Sequence, residues 1–156
     1  MTNSTVPAAF RAVVAALVAN LPAGTAVVSG PALTHPNETS YVEVGCDDSD
    51  TLNTYSPAVS GSQAWAQLGG KFRDETFTIH CVATAWNGDN DCLAAMDAVY
   101  VLMAGIETAL VNDPKLGGPS GLLWSPGIMS AGLRFVQDTK GAAAKLAFDV
   151  ECKSRI

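Results

Sequence analysis

The chain has 156 residues, a formal net charge of −6 and a sequence pI near 4.6. That is enough chain for one hydrophobic core, and it lacks the clustered Lys and Arg that a surface holding nucleic-acid phosphates needs. The four cysteines, Cys46, Cys81, Cys92 and Cys152, lie far apart without a C-x-x-C pair or a companion His cluster, so reduced thiols are expected in place of a zinc site or a disulfide framework.

The first predicted element is a helix over Pro7–Asn20, with Pro7 suited to an opening turn and Phe10, Val13, Val14, Leu17 and Val18 on its apolar side; Leu21-Pro22 ends it. Thr25–Ser29 and Ser40–Gly45 read as short strands, joined by a Pro-containing piece too long for a tight hairpin. Residues 46–72 are acidic and then rich in Ser, Gly and Thr, with only Ala64–Leu68 capable of a short helical turn. A long mobile loop is expected there, and loops of that length inside a compact domain are usually functional or disordered.

Asp74–Gly118 is the organising unit, a strand, a turn and a long helix. Phe77, Ile79, Cys81, Ala83 and Ala85 alternate with Thr, His and Val, the period of a pleated strand with one buried face. Asn87-Gly88-Asp89 breaks it, Asp89 is the expected helix N-cap, and Asp91 adds charge that the helix dipole favours. Leu93, Met96, Val99, Tyr100, Met103, Ile106 and Leu110 draw an apolar stripe down a helix of roughly 22 residues, or ~33 Å. Pro114 stops that helix and Gly117-Gly118 turns the chain. A further Gly/Pro-rich connection carries Trp124. Ile128–Asp138 and Ala142–Lys153 then form a hairpin, the latter strand with Ala144, Leu146, Phe148, Val150 and Cys152 on one face. No cationic N-terminal segment leads into an apolar run and no run approaches bilayer-crossing length, so a soluble, intracellular protein without a membrane partner is expected. Together these elements predict a single α+β domain over 1–156: a mainly antiparallel sheet of about four to five strands packed against one long and one shorter helix.

Chemistry-bearing motifs are sparse. His35 lies in a loop beside Pro36, and His80 falls inside a strand, where a hydrogen-bonded structural role outweighs that of a catalytic base; neither has an evident nucleophile partner. Asn87, Asp89 and Asp91 have the first spacings of a calcium loop, but Cys92 stands where the turn glycine belongs and Ala98 where the closing glutamate belongs. Helix capping is the better account. Asp47, Asp48 and Asp50 read as a solvated acidic run, and the Gly-Gly pairs at 69–70 and 117–118 lack the Lys-Ser/Thr of a phosphate loop. No catalytic residue, metal ligand or cofactor is assigned, and an enzyme is not expected. The rival view, an enzyme or small-ligand domain, requires a deep pocket that joins His80, Glu75 and a cysteine.

Trp86-Asn87-Gly88-Asp89 at the start of the long helix, Asp113-Pro114-Lys115-Leu116-Gly117-Gly118 at its close, and a terminal hairpin with Gln137, Gly141, Ala142 and the ending Phe148-Asp149-Val150-Glu151-Cys152-Lys153 resemble the tail terminator proteins of long-tailed bacteriophages. The resemblance covers most of the chain in element order, while the short signatures occupy about a quarter of it. It implies a virion protein of the head-proximal tail end, made in the host cytoplasm. Its subunits would form a homo-hexameric ring that caps the major tail tube protein, stops tube elongation and meets the head–tail connector, with DNA only passing through. Connector and other tail-completion subunits are the neighbouring alternative. Residues at the end of the long loop, the aromatic Trp65 and Phe72, the aliphatic Leu68 and the basic Lys71 and Arg73, are the expected contact residues.

Overall fold

The computed structural model describes residues 4–31, 38–47, 57–66, 69, 71–115 and 127–156. Its elements run α1 (Val6–Asn20), β1 (Thr25–Ser29), β2 (Ser40–Val44), β3 (Val59–Trp65), β4 (Arg73–Asn87), α2 (Cys92–Asn112), β5 (Gly127–Asp138) and β6 (Gly141–Arg155). Among the described residues the fold is α+β, with two helices and one mixed sheet of six strands in the order β1-β2-β4-β6-β5, β3 adding to β4. β1 and β2 are parallel, and every other pairing is antiparallel.

The fifteen-residue β4 is the spine. One side of it pairs along its whole length with β6, from Asp74↔Arg155 to Asn87↔Ala142. The other side is shared: β3 takes Arg73–Ile79 and β2 takes Cys81–Ala85. The sixth strand, β3, corrects the expected count and divides the expected long loop at 46–72. It was hidden because Val59-Ser-Gly-Ser-Gln-Ala-Trp65 lacks strand-type alternation and carries a glycine, ordinarily a sign of a loop. Here Gly61 permits close approach instead: a Cβ on it would lie 2.6 Å from Phe77 Cβ and 2.8 Å from the Thr76 carbonyl oxygen. Ala64-Trp65 is the end of that strand and not a helical turn.

Phe77, Ile79, Cys81, Ala83 and Ala85 of β4 and Ala144, Leu146, Phe148, Val150 and Cys152 of β6 form the buried face predicted from alternation. Both helices pack there, α1 through Ala9, Val13 and Leu17. Each large side chain removed from water in this layer contributes on the order of 1.5–3 kcal/mol. The face that α2 turns inward differs from the expected stripe. Ala95, Val99, Leu102, Met103, Ile106, Ala109 and Leu110 are buried, while Leu93 and Tyr100 are 66% and 51% exposed. Apolar residues run nearly all round this helix, so spacing alone does not choose a side. Alanines let it sit close on a sheet whose facing positions are themselves Ala83, Ala85 and Ala144.

The same two-sided apolarity gives α2, at 21 residues and a mean hydropathy of 1.6, the length and composition of a membrane-crossing segment, contrary to the expectation that no run approaches it. With its inner face buried on the sheet, it is a core helix here. Its start also differs from expectation. Asp91, not Asp89, is the N-cap, its carboxylate accepting from the backbone N–H of Leu93 at 2.9 Å and Ala94 at 3.1 Å. Asp89 donates its own N–H to Asn87 Oδ1, and Asn90 takes a left-handed φ of 58°, so the helix begins two residues later than expected.

Candidate functional site

The antiparallel hairpin of β3 and β4 ends in the register pair Trp65↔Arg73, closed by the Ala66 N–H donating to the Phe72 carbonyl at 3.1 Å. Trp65 and Phe72 are 68% and 61% exposed, Lys71 is exposed beside them, and Leu68 lies outside the described residues. The structure thus brings four of the five expected contact residues to one hairpin end. The Arg73 guanidinium sits 5.7 Å from the Trp65 ring centroid and donates through Nη1 to Gln63 Oε1 at 3.0 Å. An exposed cation–π contact of this kind contributes roughly 0.5–1 kcal/mol, enough to favour one arrangement of two long side chains.

That arrangement is tied to the core. Gln63 Nε2 donates to Glu75 Oε1 at 2.7 Å. Glu75 is buried, and it also accepts from Ser4 Oγ at 2.7 Å, from the Thr5 N–H at 2.8 Å and from Thr5 Oγ1 at 2.6 Å. Ser154 lies opposite it on β6, its hydroxyl 3.4 Å away. Burial by itself would push the Glu75 carboxyl up; the hydrogen bonds from Ser4, Thr5 and Gln63 outweigh it and hold the group at about 2. One carboxylate therefore clamps the start of α1, the edge strand β3 and the end of β6. Thr5 spends its hydroxyl on Glu75, which is why this N-cap residue makes no side-chain bond to its own helix. An open cleft of about 490 Å³ lies alongside, lined in part by Ser4, Pro7, Gly61, Gln63, Glu75 and Phe77.

On the opposite face of the sheet His80 is hydrogen-bonded through both ring nitrogens. Nδ1 lies 2.7 Å from Oδ1 of Asp149, its cross-strand partner, and Nε2 lies 3.0 Å from Ser60 Oγ. A carboxylate only accepts, so Nδ1 carries the proton, and in the neutral ring Nε2 accepts from the serine hydroxyl. This bears out a hydrogen-bonded histidine in a strand, and it sets a serine hydroxyl beside a ring for which the sequence showed no evident nucleophile partner. Ser60 and Asp149 are 20 and 69 positions from His80 in the chain, so only strand pairing brings them together. A cavity of about 310 Å³ borders the His80–Asp149 pair, with Asp47, Gly132 and Ala147 in its lining and Ser60 outside it.

The groups named by the rival enzyme view are divided between the two clefts: Glu75 lines the one beside α1, while His80 and Cys81 both border the other. Glu75 and Cys81 occupy positions of β4 that face the helices, and His80 occupies the opposite face, as the pleat demands. Burial pushes the Cys81 and Cys152 thiols up to about 12, which leaves them poor nucleophiles. Cys46, Cys81, Cys92 and Cys152 are all present as thiols. Among the described residues no three of His, Cys, Asp and Glu converge as a metal site, and Asn87 and Asp91 serve as turn and cap acceptors. His35, Asp48, Asp50, Gly117, Gly118 and Trp124 lie outside the described residues.

The second large exposed feature is the outer side of α2. Leu93, Tyr100, Val101 and Val111 are all more than half exposed, and β5 adds Leu133 and Phe135 at positions in register with Leu146 and Ala144 on the helix-bearing side of the sheet. Sequence spacing placed two of these in the core because an apolar residue on an amphipathic helix is read as inward-facing. No protein-family model matches the chain, and no curated protein matches it at significant similarity.

Proposed function

We propose that the chain is a structural subunit of a bacteriophage tail, a ring-forming terminator that caps the head-proximal end of the tail tube and presents the surface to which the head is joined. The hairpin end carries this reading: Trp65, Lys71 and Phe72 are exposed together beside the half-buried Arg73, which is held by Trp65 and by the Gln63–Glu75 bridge to the core. Aromatic and Arg side chains already held in place lose little freedom on binding, which favours docking over turnover. The net charge of −6 supports the same role, since a negative subunit does not hold DNA as it passes. The homo-hexamer, the tube protein and the connector are the partners this role requires. In the phage that encodes it, loss of the protein should leave filled heads unattached and tails of irregular, often excessive length. Normal tails joined to heads in its absence would refute the proposal.

One observation favours a second reading. Ser60, His80 and Asp149 have the atom order and the tautomer of an acyl-transfer triad, with Ser60 as nucleophile toward an ester or amide carbonyl. Against it, Ser60 lies in a regular ladder opposite Thr78, where no sharp turn lifts a nucleophile clear, and the neighbouring cavity does not reach it. A fluorophosphonate probe separates the two. The structural role expects no covalent adduct, whereas stoichiometric labelling of Ser60 that is lost in His80→Ala would establish the hydrolase.

A further inference from the structure

The outer face of α2 is a continuous stripe. At 100° per residue, Leu93, Asp97, Tyr100, Val101, Glu107 and Val111 fall within a sector of roughly 120°, centred opposite the buried residues Val99 and Ile106. From Leu93 to Val111 it runs about 27 Å along the helix axis. An interface of standard size, with ~800 Å² on each partner, is about 28 Å across. The only charged residues of the helix are Asp97 and Glu107, both exposed on this stripe, so the surface is apolar with purely negative charge. The hairpin end has the matching character: two exposed aromatic rings, Trp65 and Phe72, flanked by the cations Lys71 and Arg73.

We infer that the occupant of the α2 stripe is the hairpin end of a second copy of this chain. Trp65 and Phe72 lie between Leu93, Tyr100, Val101 and Val111 of the neighbour, and Lys71 and Arg73 face its Asp97 and Glu107. The two surfaces are different patches of one subunit, so the contact is heterologous and propagates head to tail, the arrangement from which closed rings are built. Opposite charges at its rim set orientation and suppress hairpin-to-hairpin and helix-to-helix pairing. The inference rests on the ring reading and names the partner surface for the hairpin end.

Charge reversal tests it in a way that misfolding cannot imitate. Lys71→Glu with Arg73→Glu makes a hairpin variant, and Asp97→Lys with Glu107→Lys makes a helix variant. By analytical ultracentrifugation each alone should self-associate at least about tenfold more weakly than the wild type. An equimolar mixture should recover assembly, because every interface in an alternating ring then pairs opposite charges again. Zero-length carbodiimide coupling of mixed light and heavy-nitrogen protein should join Lys71 of one copy to Asp97 or Glu107 of another. Wild-type rings with no such cross-link and no recovery on mixing would overturn this contact and leave the ring role standing. A protein that stays monomeric at all concentrations, and on tails, would overturn both. Binding of wild type, but not the helix variant, to lipid vesicles in place of self-association would assign the stripe to a membrane and likewise overturn it.

Discussion

Arg73 stacks on the ring of Trp65 at 5.7 Å, across the last register pair of the β3–β4 hairpin, and so joins the most exposed aromatic of that hairpin to a strand that runs through the core. The contact is too exposed to matter much for folding.

Trp65→Ala should therefore cost under ~1 kcal/mol in urea denaturation. Phe72→Ala with Arg73→Glu should likewise leave the subunit folded, but both variants should weaken ring formation or attachment to tails, read by sedimentation and electron microscopy. Normal assembly by the double variant would refute this choice of residues.

Glu75 makes stability depend on acid. Its carboxyl is held at about 2, below its ordinary value of 4.5, so its stabilising contribution is fully present above 4.5 and is lost as pH falls from there toward 2. Glu75→Gln should flatten the stability profile across that interval, and Glu75→Ala, which strands Ser4, Thr5 and Gln63, should cost about 2–4 kcal/mol at neutral pH. Equal acid sensitivity in wild type and Glu75→Gln would show that another group carries the effect.

Alkylation should divide the cysteines. In the native protein Cys46 and Cys92, both partly exposed, should react first, while Cys81 and Cys152 are protected by burial and by thiols raised to about 12. In denaturant without reductant all four should label. Mass spectrometry finding two labels or fewer would mean the thiols are paired.

The orientation of α2 predicts a contrast between two leucines. Leu102, 4% exposed, should cost about 2–5 kcal/mol when changed to Ala, and Leu93, 66% exposed, should cost close to nothing. A larger loss at Leu93 than at Leu102 would mean that the stripe expected from spacing is the buried one after all.

Gly61→Val should destabilise by roughly 1–3 kcal/mol, because the new side chain meets Phe77 and the Thr76 carbonyl of the paired strand. Hydrogen exchange should show the loss concentrated in β3. Unchanged protection there would mean that the strands need not approach so closely.

The sequence by itself determined the elements whose pattern is local. The alternation of Phe77–Ala85, the terminal hairpin around Gly141 and both helices appear where period and turn residues put them, because backbone pleat and helical pitch act over a few residues. The candidate contact residues at the hairpin end were legible as a composition, aromatics beside cations, but not as a surface. Tertiary structure decided the rest. β3 exists because β4 offers it an edge and Gly61 allows the approach, which no propensity in Val59–Trp65 signals. The inward side of α2 was chosen by a sheet lined with small residues, since a helix apolar on nearly every side has no preferred face of its own. Glu75 joins Ser4, Thr5 and Gln63, and His80 joins Ser60 and Asp149, through strand register and the docking of α1, and pairings between distant residues arise only when the chain has already closed its sheet.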